Sequence, residues 1–348
     1  MAPNPSDDPV ERKIQLTGGT TYTVSLPKSW ARDQSLSAGS RVQLHPRGDR
    51  LLLTQPEADD DGHITAVSAG RYAPDELAQL VAASYVAGAD AVRIDGVTDT
   101  ETAAAVREAA NGLIGVAVDA ESARETVVRT MLDATDLSAR QTLAQMESLA
   151  LSMHADAVDA VLAADAEAGE RVAARDDTVD RLFGLVAREF QRSLVDVRVD
   201  GAGDGLTTFD HYAAARQIER VADHAERIGG VAGLLDDEPP ADVAETLSST
   251  ATNARTIVRR ALSETLGDRD PPALTAIVAD GERVVDGAHD LDRELYERDL
   301  ADGYAFATVL DSVVRTAEYG VNVAEGGLQA ALRESRSPAI SASSGPSE

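Results

Sequence analysis

Within Ala215-Arg-Gln-Ile-Glu-Arg-Val-Ala-Asp-His-Ala-Glu-Arg-Ile-Gly229, Glu219 and Asp223 stand four residues apart. On a helix that spacing puts both carboxylates on one face. Like charges so placed repel unless something positive neutralises them. Two chemistries meet the need. Arg216, Arg220 and Arg227 can form an arginine–carboxylate network, or a metal ion can bind, because paired carboxylates suit hard cations and iron. His224 beside them reads as a surface or interhelical hydrogen-bonding group. A second concentration of charge is basic. Residues 11–55 hold seven cations, among them Arg12, Lys13, Lys28 and Arg32, against three acids, a net +4. The whole chain is at −28 and residues 1–10 carry −2 from Asp7 and Asp8, so residues 56–348 carry −30.

Other chemistry finds little support. Zero cysteines exclude disulfides, cysteine–zinc sites, Fe–S clusters and thiol catalysis. The histidines (His45, His63, His154, His211, His224, His289) are scattered, with no Ser/His/Asp arrangement. Gly112-Leu-Ile-Gly115 lacks the strand–turn–helix setting and glycine spacing of a phosphate loop. The expectation is a protein that is not an enzyme.

The elements that position these residues begin with composition. A hydrophobic share of 43% over 348 residues fits a folded chain. No apolar run nears the roughly 20 residues of a spanning helix, so no membrane insertion is expected. The start MAPNPSDDPVERK is polar and acidic, unlike a signal peptide, and a cytoplasmic location is expected. Only Lys13 and Lys28 are lysines, and Asp is abundant. Carboxylates stay hydrated when salt screens their repulsion, so the surface reads as halophile-like, adapted to high cytoplasmic salt. A surface evolved to bind something basic is the other reading. Most of the 60 acids then carry no site information.

Residues 11–55 read as short strands, Ile14/Leu16 and Tyr22/Val24/Leu26 around the turn Gly18-Gly19, then Val42/Leu44 and Leu51–Leu53, with a turn at Pro46-Arg47-Gly48-Asp49. Pro27 opens a short helix, Lys28–Asp33. So small a piece buries too little surface to stand alone, and a pairing with a second copy is expected. Gln55–Gly62 is an acidic linker. Residues 62–132 read as a small α/β connector: strands at Ile64–Val67, Ala91–Ile94, Ile114–Val118 and Thr126–Leu132, helices at Pro74–Ala87 and Thr100–Asn111, the latter capped by Asp99. From 136 the pattern predicts helices at 136–166, 170–197, 207–235, 241–266, 270–300 and 303–333. The breaks fall at Gly169, the glycine-rich 199–205, Pro239-Pro240, Gly267 with Pro271-Pro272, and Asp302-Gly303. A weak internal repeat pairs Val179-Asp180 with Val285-Asp286 and Asp223 with Glu318. It implies two three-helix bundles over 136–333. Residues 335–348, rich in Ser and Pro, are expected to be a disordered tail.

Two resemblances join these readings. The stretch RKIQLTGGTTYTVSLPKSWARDQSLSAGSRVQLHPRGDRLLL, centred on V-S-L-P-K-S-W, resembles the AbrB/SpoVT-type DNA-binding module. That resemblance implies a swapped-hairpin β homodimer on DNA, with Arg12, Lys13, Lys28 and Arg32 as phosphate contacts. The segment I-E-R-V-A-D-H-A-E-R-I is similar to the E-x-x-x-D-H-x-x-x-I signature of PhoU, the phosphate-uptake regulator, and Arg175-Asp-Asp-Thr-Val-Asp-Arg181 supports it. This resemblance implies a multinuclear metal site, of iron or zinc, with Glu219 and Asp223 as ligands. Val314 stands where Glu219 does in the second bundle, so a second cluster is not expected there. Together they imply a multidomain chain that regulates transcription in response to phosphate. The alternative is an accessory protein that does not bind DNA and damps a phosphate ABC transporter and its signalling partner by contact.

Overall fold

Gly18 and Gly19 adopt φ of +66° and +83°, a region open to glycine and strained for other residues. They turn the chain between β1 (Gln15–Thr17) and β2 (Thr21–Thr23), which pair antiparallel. The computed structural model describes residues 10–47, 50–55, 63–122, 125–131, 138–195, 205–298 and 302–336. The linker from 56 to 62, the tip of the second hairpin at 48–49, most of the glycine-rich loop and the tail beyond 336 lie outside the described residues. The chain forms two units, divided between residues 60 and 61.

In the first unit, α1 (Lys28–Asp33) follows Pro27, and β3 (Gln43–Arg47) pairs antiparallel with β4 (Arg50–Thr54). Pro46 and Arg47, expected in the turn, instead extend β3 and pair with Leu51 and Arg50. A two-stranded ribbon has only edge strands, where proline's missing N–H is tolerated. The two hairpins are separate sheets. Among the described residues of this unit none is buried. Ile14 and Tyr22 are 69% and 76% exposed, so one copy of the unit has no core of its own.

The second unit opens with β5 (Ile64–Ser68), α2 (Pro74–Val86), β6 (Ala91–Asp95), α3 (Thr100–Asn111), β7 (Val116–Glu121) and β8 (Glu125–Thr130). The sheet order is β5-β6-β8-β7, with β5 and β6 parallel and the other neighbours antiparallel. Leu77, Val81, Val106 and Ala110 of the helices pack on Val92, Ile94 and Val128 of the sheet. Asp99 caps α3 by accepting from the Thr102 N–H at 2.7 Å. β7 begins two residues later than the sequence suggests, because Gly115 sits at φ +65° and delays the strand.

Seven helices follow among the described residues: α4 (Ala139–Leu162), α5 (Ala166–Ala173), α6 (Asp176–Val195), α7 (Thr208–Ala232), α8 (Ala241–Leu266), α9 (Pro271–Glu297) and α10 (Gly303–Arg336). The stretch expected to break once, at Gly169, breaks at Ala164 (φ +49°) and again before Asp176. Gly169 lies inside α5. A Cβ there would stand 2.2 Å from the Gly229 carbonyl oxygen of α7, so this glycine permits a close helix crossing and breaks nothing. Ser335 and Arg336, assigned by sequence to the tail, complete α10. Both helix sets contribute to one continuous apolar core, from Leu143 and Met146 through Ile218 and Ile228 to Leu262, Leu274 and Leu310. Buried Arg188 of α6 donates to the Tyr85 and Ala89 carbonyls, each at 2.7 Å, and Arg192 reaches Asp90 at 3.0 Å. These bonds fix the α/β layer to α6.

Candidate metal centre

Helix α7 is amphipathic: Ile218, Val221, Ala222, Ala225 and Ile228 face the core. That arrangement brings Glu219 and Asp223 to the seam with α6. On the α6 side of the seam stand Asp176 and Asp180, again four residues apart. One oxygen from each of Asp176, Asp180 and Asp223 lies within 4.8 Å of the others. Among the described residues no second group of three acids or histidines converges in this way.

The cluster is short of positive charge. Glu219 is 8% exposed; its Oε1 accepts from Arg216 Nη1 at 2.8 Å, while its buried Oε2 meets no hydrogen-bond partner. Asp176 Oδ1 is also buried without a partner. Burial, then the charges of Asp180 and Asp223, push the Asp176 carboxyl up to about 7. Burial and Asp223 push Glu219 up to about 7, against the opposing pull of Arg216. Burial and Asp223 also raise Asp180. Glu219 is buried and Asp176 half-buried, whereas Asp180 and Asp223 are exposed. Buried acids in native proteins are normally paired or coordinate metals, and the one guanidinium bonded here, Arg216, meets only Glu219.

The three arginines named from sequence part company. Arg216 bonds Glu219, Arg220 lies over the Tyr319 ring at 5.7 Å, and Arg227 pairs with Asp311 at 3.6 Å. His224 joins helices, its Nε2 standing 3.2 Å from the Tyr319 hydroxyl. Sequence reasoning passed over Asp176 and Asp180 as ligands. The signal lay in Arg175–Arg181, where a second carboxylate pair has the spacing of Glu219 and Asp223.

Among the described residues the second helix set shows no such centre. Val314 is buried, and Arg315 donates to Glu318 at 2.8 Å. Arg220, Glu282, Asp286, Arg315 and Glu318 line an open cleft of about 600 Å³. The guanidinium of Arg315 takes the carboxylate that the repeat aligns with Asp223.

The basic residues named from sequence belong to the first unit. Arg12, Lys13, Lys28 and Arg32 are all exposed. Lys28 and Arg32 share a face of α1 at four-residue spacing, and Arg12 donates to the Glu11 carbonyl at 2.9 Å.

No curated protein matches this sequence. Among solved structures, the phosphate transport system regulatory protein PhoU from Streptococcus pneumoniae aligns at a TM-score of 0.49 and 17% identity, over 56% of this chain and 93% of that one. PhoU from Pseudomonas aeruginosa aligns at 0.48 and 19%, over 56% and 96%. In sequence, residues 143–232 match the PhoU domain family, and that segment contains all four carboxylates of the centre.

Proposed function

We propose that this protein is a PhoU-type regulator of phosphate transport that acts by protein contact and holds a metal ion between α6 and α7. The observation that carries the reading is the converging trio Asp176, Asp180 and Asp223, with Glu219 one turn before Asp223, inside the segment matching the PhoU domain. Asp176, Asp180, Glu219 and Asp223 are the residues that would hold the ion. The donors are all carboxylates, which favours iron or another hard cation over zinc. The ion supplies the positive charge that the cluster lacks and ties α6 to α7. Phosphate status would then be read out through partners such as a transporter ATPase or a signalling protein.

Two measurements test this. A deletion strain should lose phosphate-dependent control of uptake, and unchanged control would end the regulatory reading. Elemental analysis of the purified protein should find metal near stoichiometric amounts. The double variant Glu219→Ala, Asp223→Ala should lose it while keeping its helical circular dichroism. A metal-free parent leaves the acids as a structural cluster.

A second reading rests on a different observation. Residues 11–55 of the first unit carry +4 and expose Arg12, Lys13, Lys28 and Arg32 together with apolar strand residues such as Ile14, Leu16 and Tyr22. We infer that it forms a homodimer of the AbrB type and carries Arg12, Lys13, Lys28 and Arg32 to DNA. A gel shift with the DNA upstream of the chain's own gene separates this from regulation by protein contact alone.

A further inference from the structure

Helices α8 and α9 leave a cleft of about 420 Å³ between them. That volume lies within the range of small-molecule sites. Ile257, buried, and Val284, half-buried, give the cleft an apolar wall. Its polar lining includes Arg260 and Asn253 from α8 and Asp280 and Arg283 from α9.

The charges in this cleft run against those of the chain around it. In residues 56–348 acids outnumber basic residues by more than two to one. Two other clefts follow that trend, with four acids against two arginines beside Tyr319 and three against two beside α5. Between α8 and α9 two arginines face one acid. Asp280 Oδ2 accepts from Arg260 Nη1 across the helices at 2.6 Å, and its Oδ1 accepts from Arg283 Nη2 on its own helix. Tying α8 to α9 needs only Arg260 and Asp280. Arg283 brings a second positive charge, and its described ion pair is with that same carboxylate. Each guanidinium has five N–H donors and spends one on Asp280. The cleft therefore holds two arginine forks, drawn together by one acid, with donors to spare.

We propose that the α8–α9 cleft binds a phosphoryl oxyanion, free or carried on a small organic body that rests on Ile257 and Val284. Guanidinium forks match such oxyanions with paired, charge-assisted hydrogen bonds. The Thr250 and Thr256 hydroxyls donate to the Thr246 and Thr252 carbonyls, each at 2.8 Å. The donors left to the cleft are then Arg260, Arg283 and the Asn253 carboxamide, on two helices. A tetrahedral phosphoryl group has three oxygens to meet three such groups, whereas a carboxylate has two in one plane. The −30 of residues 56–348 repels anions, but charges beyond about 8 Å are screened at physiological ionic strength, so the nearest groups decide. The site stands on the cleft alone; its use as a sensor rests on the reading of the protein as a regulator of phosphate transport.

Calorimetric titration of the full-length protein with inorganic phosphate, AMP and acetate tests this. Phosphate or AMP should bind at least tenfold more tightly than acetate. Tighter binding of AMP assigns the site to a phosphate ester, and tighter binding of inorganic phosphate assigns it to the free ion. Arg260→Gln and Arg283→Gln should each weaken binding about tenfold, the loss of one charge-assisted pair. Arg283 is exposed, so its variant should keep the parent's circular dichroism and melting temperature. Asp280→Asn removes the competing charge and should tighten binding about threefold, a gain that a merely structural ion pair does not predict. Acetate binding as tightly as phosphate and AMP overturns the proposal. So does binding that is undiminished in both arginine variants, which would place the anion at the centre between α6 and α7, or no tighter in Asp280→Asn. The two readings fail separately. If the deletion strain regulates phosphate uptake normally, the regulatory reading falls and the titration result stands. If the deletion strain is defective and both arginine variants bind like the parent, the site falls and the regulatory reading stands.

Discussion

Glu219 illustrates how one side chain is held in a costly state. Its Oε1 meets Arg216, its Oε2 meets nothing, and Asp223 repels it from the next turn. A carboxyl raised in the folded state above its unfolded value favours folding while it is protonated. That contribution is complete below about pH 4 and is lost as pH rises toward about 7. The metal-free protein should therefore lose stability across that window. Glu219→Gln should remove part of the dependence and stabilise the metal-free protein at pH 8 by roughly 1 kcal/mol, allowing for solvent screening. With metal bound the same change should be destabilising, because a ligand is gone. Thermal melts of both proteins at pH 5 and pH 8, with and without metal, check the sign. Identical pH profiles would place the charge strain elsewhere.

At the scale of elements, two glycines with opposite surroundings give a paired prediction. At Gly169 a Cβ would meet the Gly229 backbone at 2.2 Å, and at Gly184 it would meet open space. Gly169→Ala should force α5 and α7 apart and cost about 2–3 kcal/mol. Gly184→Ala should stabilise by roughly 0.5–1 kcal/mol. Denaturant midpoints of the two variants should move in opposite directions. Sequence alone could not tell these glycines apart. Gly169 read as a break because glycine punctuates helices, and its true role depends on a residue 60 positions away. The caps and prolines were legible because they act within a turn: Asp99, Pro271 and the start of α8 after Pro240 lie where local chemistry puts them. The same locality explains the site. Glu219 and Asp223 are visible as an i, i+4 pair, whereas their juxtaposition with Asp176 and Asp180 comes from the antiparallel packing of α6 on α7, which no single helix encodes. Arg188 was invisible for that reason too, since its acceptors lie about a hundred residues earlier in the chain. Arg188→Met leaves the Tyr85 and Ala89 carbonyls without this donor and should cost about 2–4 kcal/mol. Hydrogen exchange should show the loss first in α2, and unchanged protection there would detach the layer from α6.

At the scale of the whole molecule, charge separates residues 11–55, at +4, from residues 56–348, at −30. If the first unit contacts DNA, Lys28→Glu should weaken binding across sequences by a similar factor and flatten the salt dependence, because phosphate contacts carry little sequence information. Equal affinity of Lys28→Glu and the parent would remove that residue from the interface. If the exposed strands form a dimer, Leu16→Asp should yield monomers in light scattering while the helical circular dichroism of α4 to α10 stays intact.

The first unit buries none of its described residues, and that links its folding to cellular abundance. If a second copy completes such a unit, association and folding are one event, so halving the amount of protein does more than halve the amount of assembled module. Newly made chains would then present Ile14, Leu16 and Tyr22 to solvent until a second chain arrives, which would favour neighbours on the same messenger as assembly partners. Expression level would thereby become an input to the protein's activity, independent of anything bound between α6 and α7.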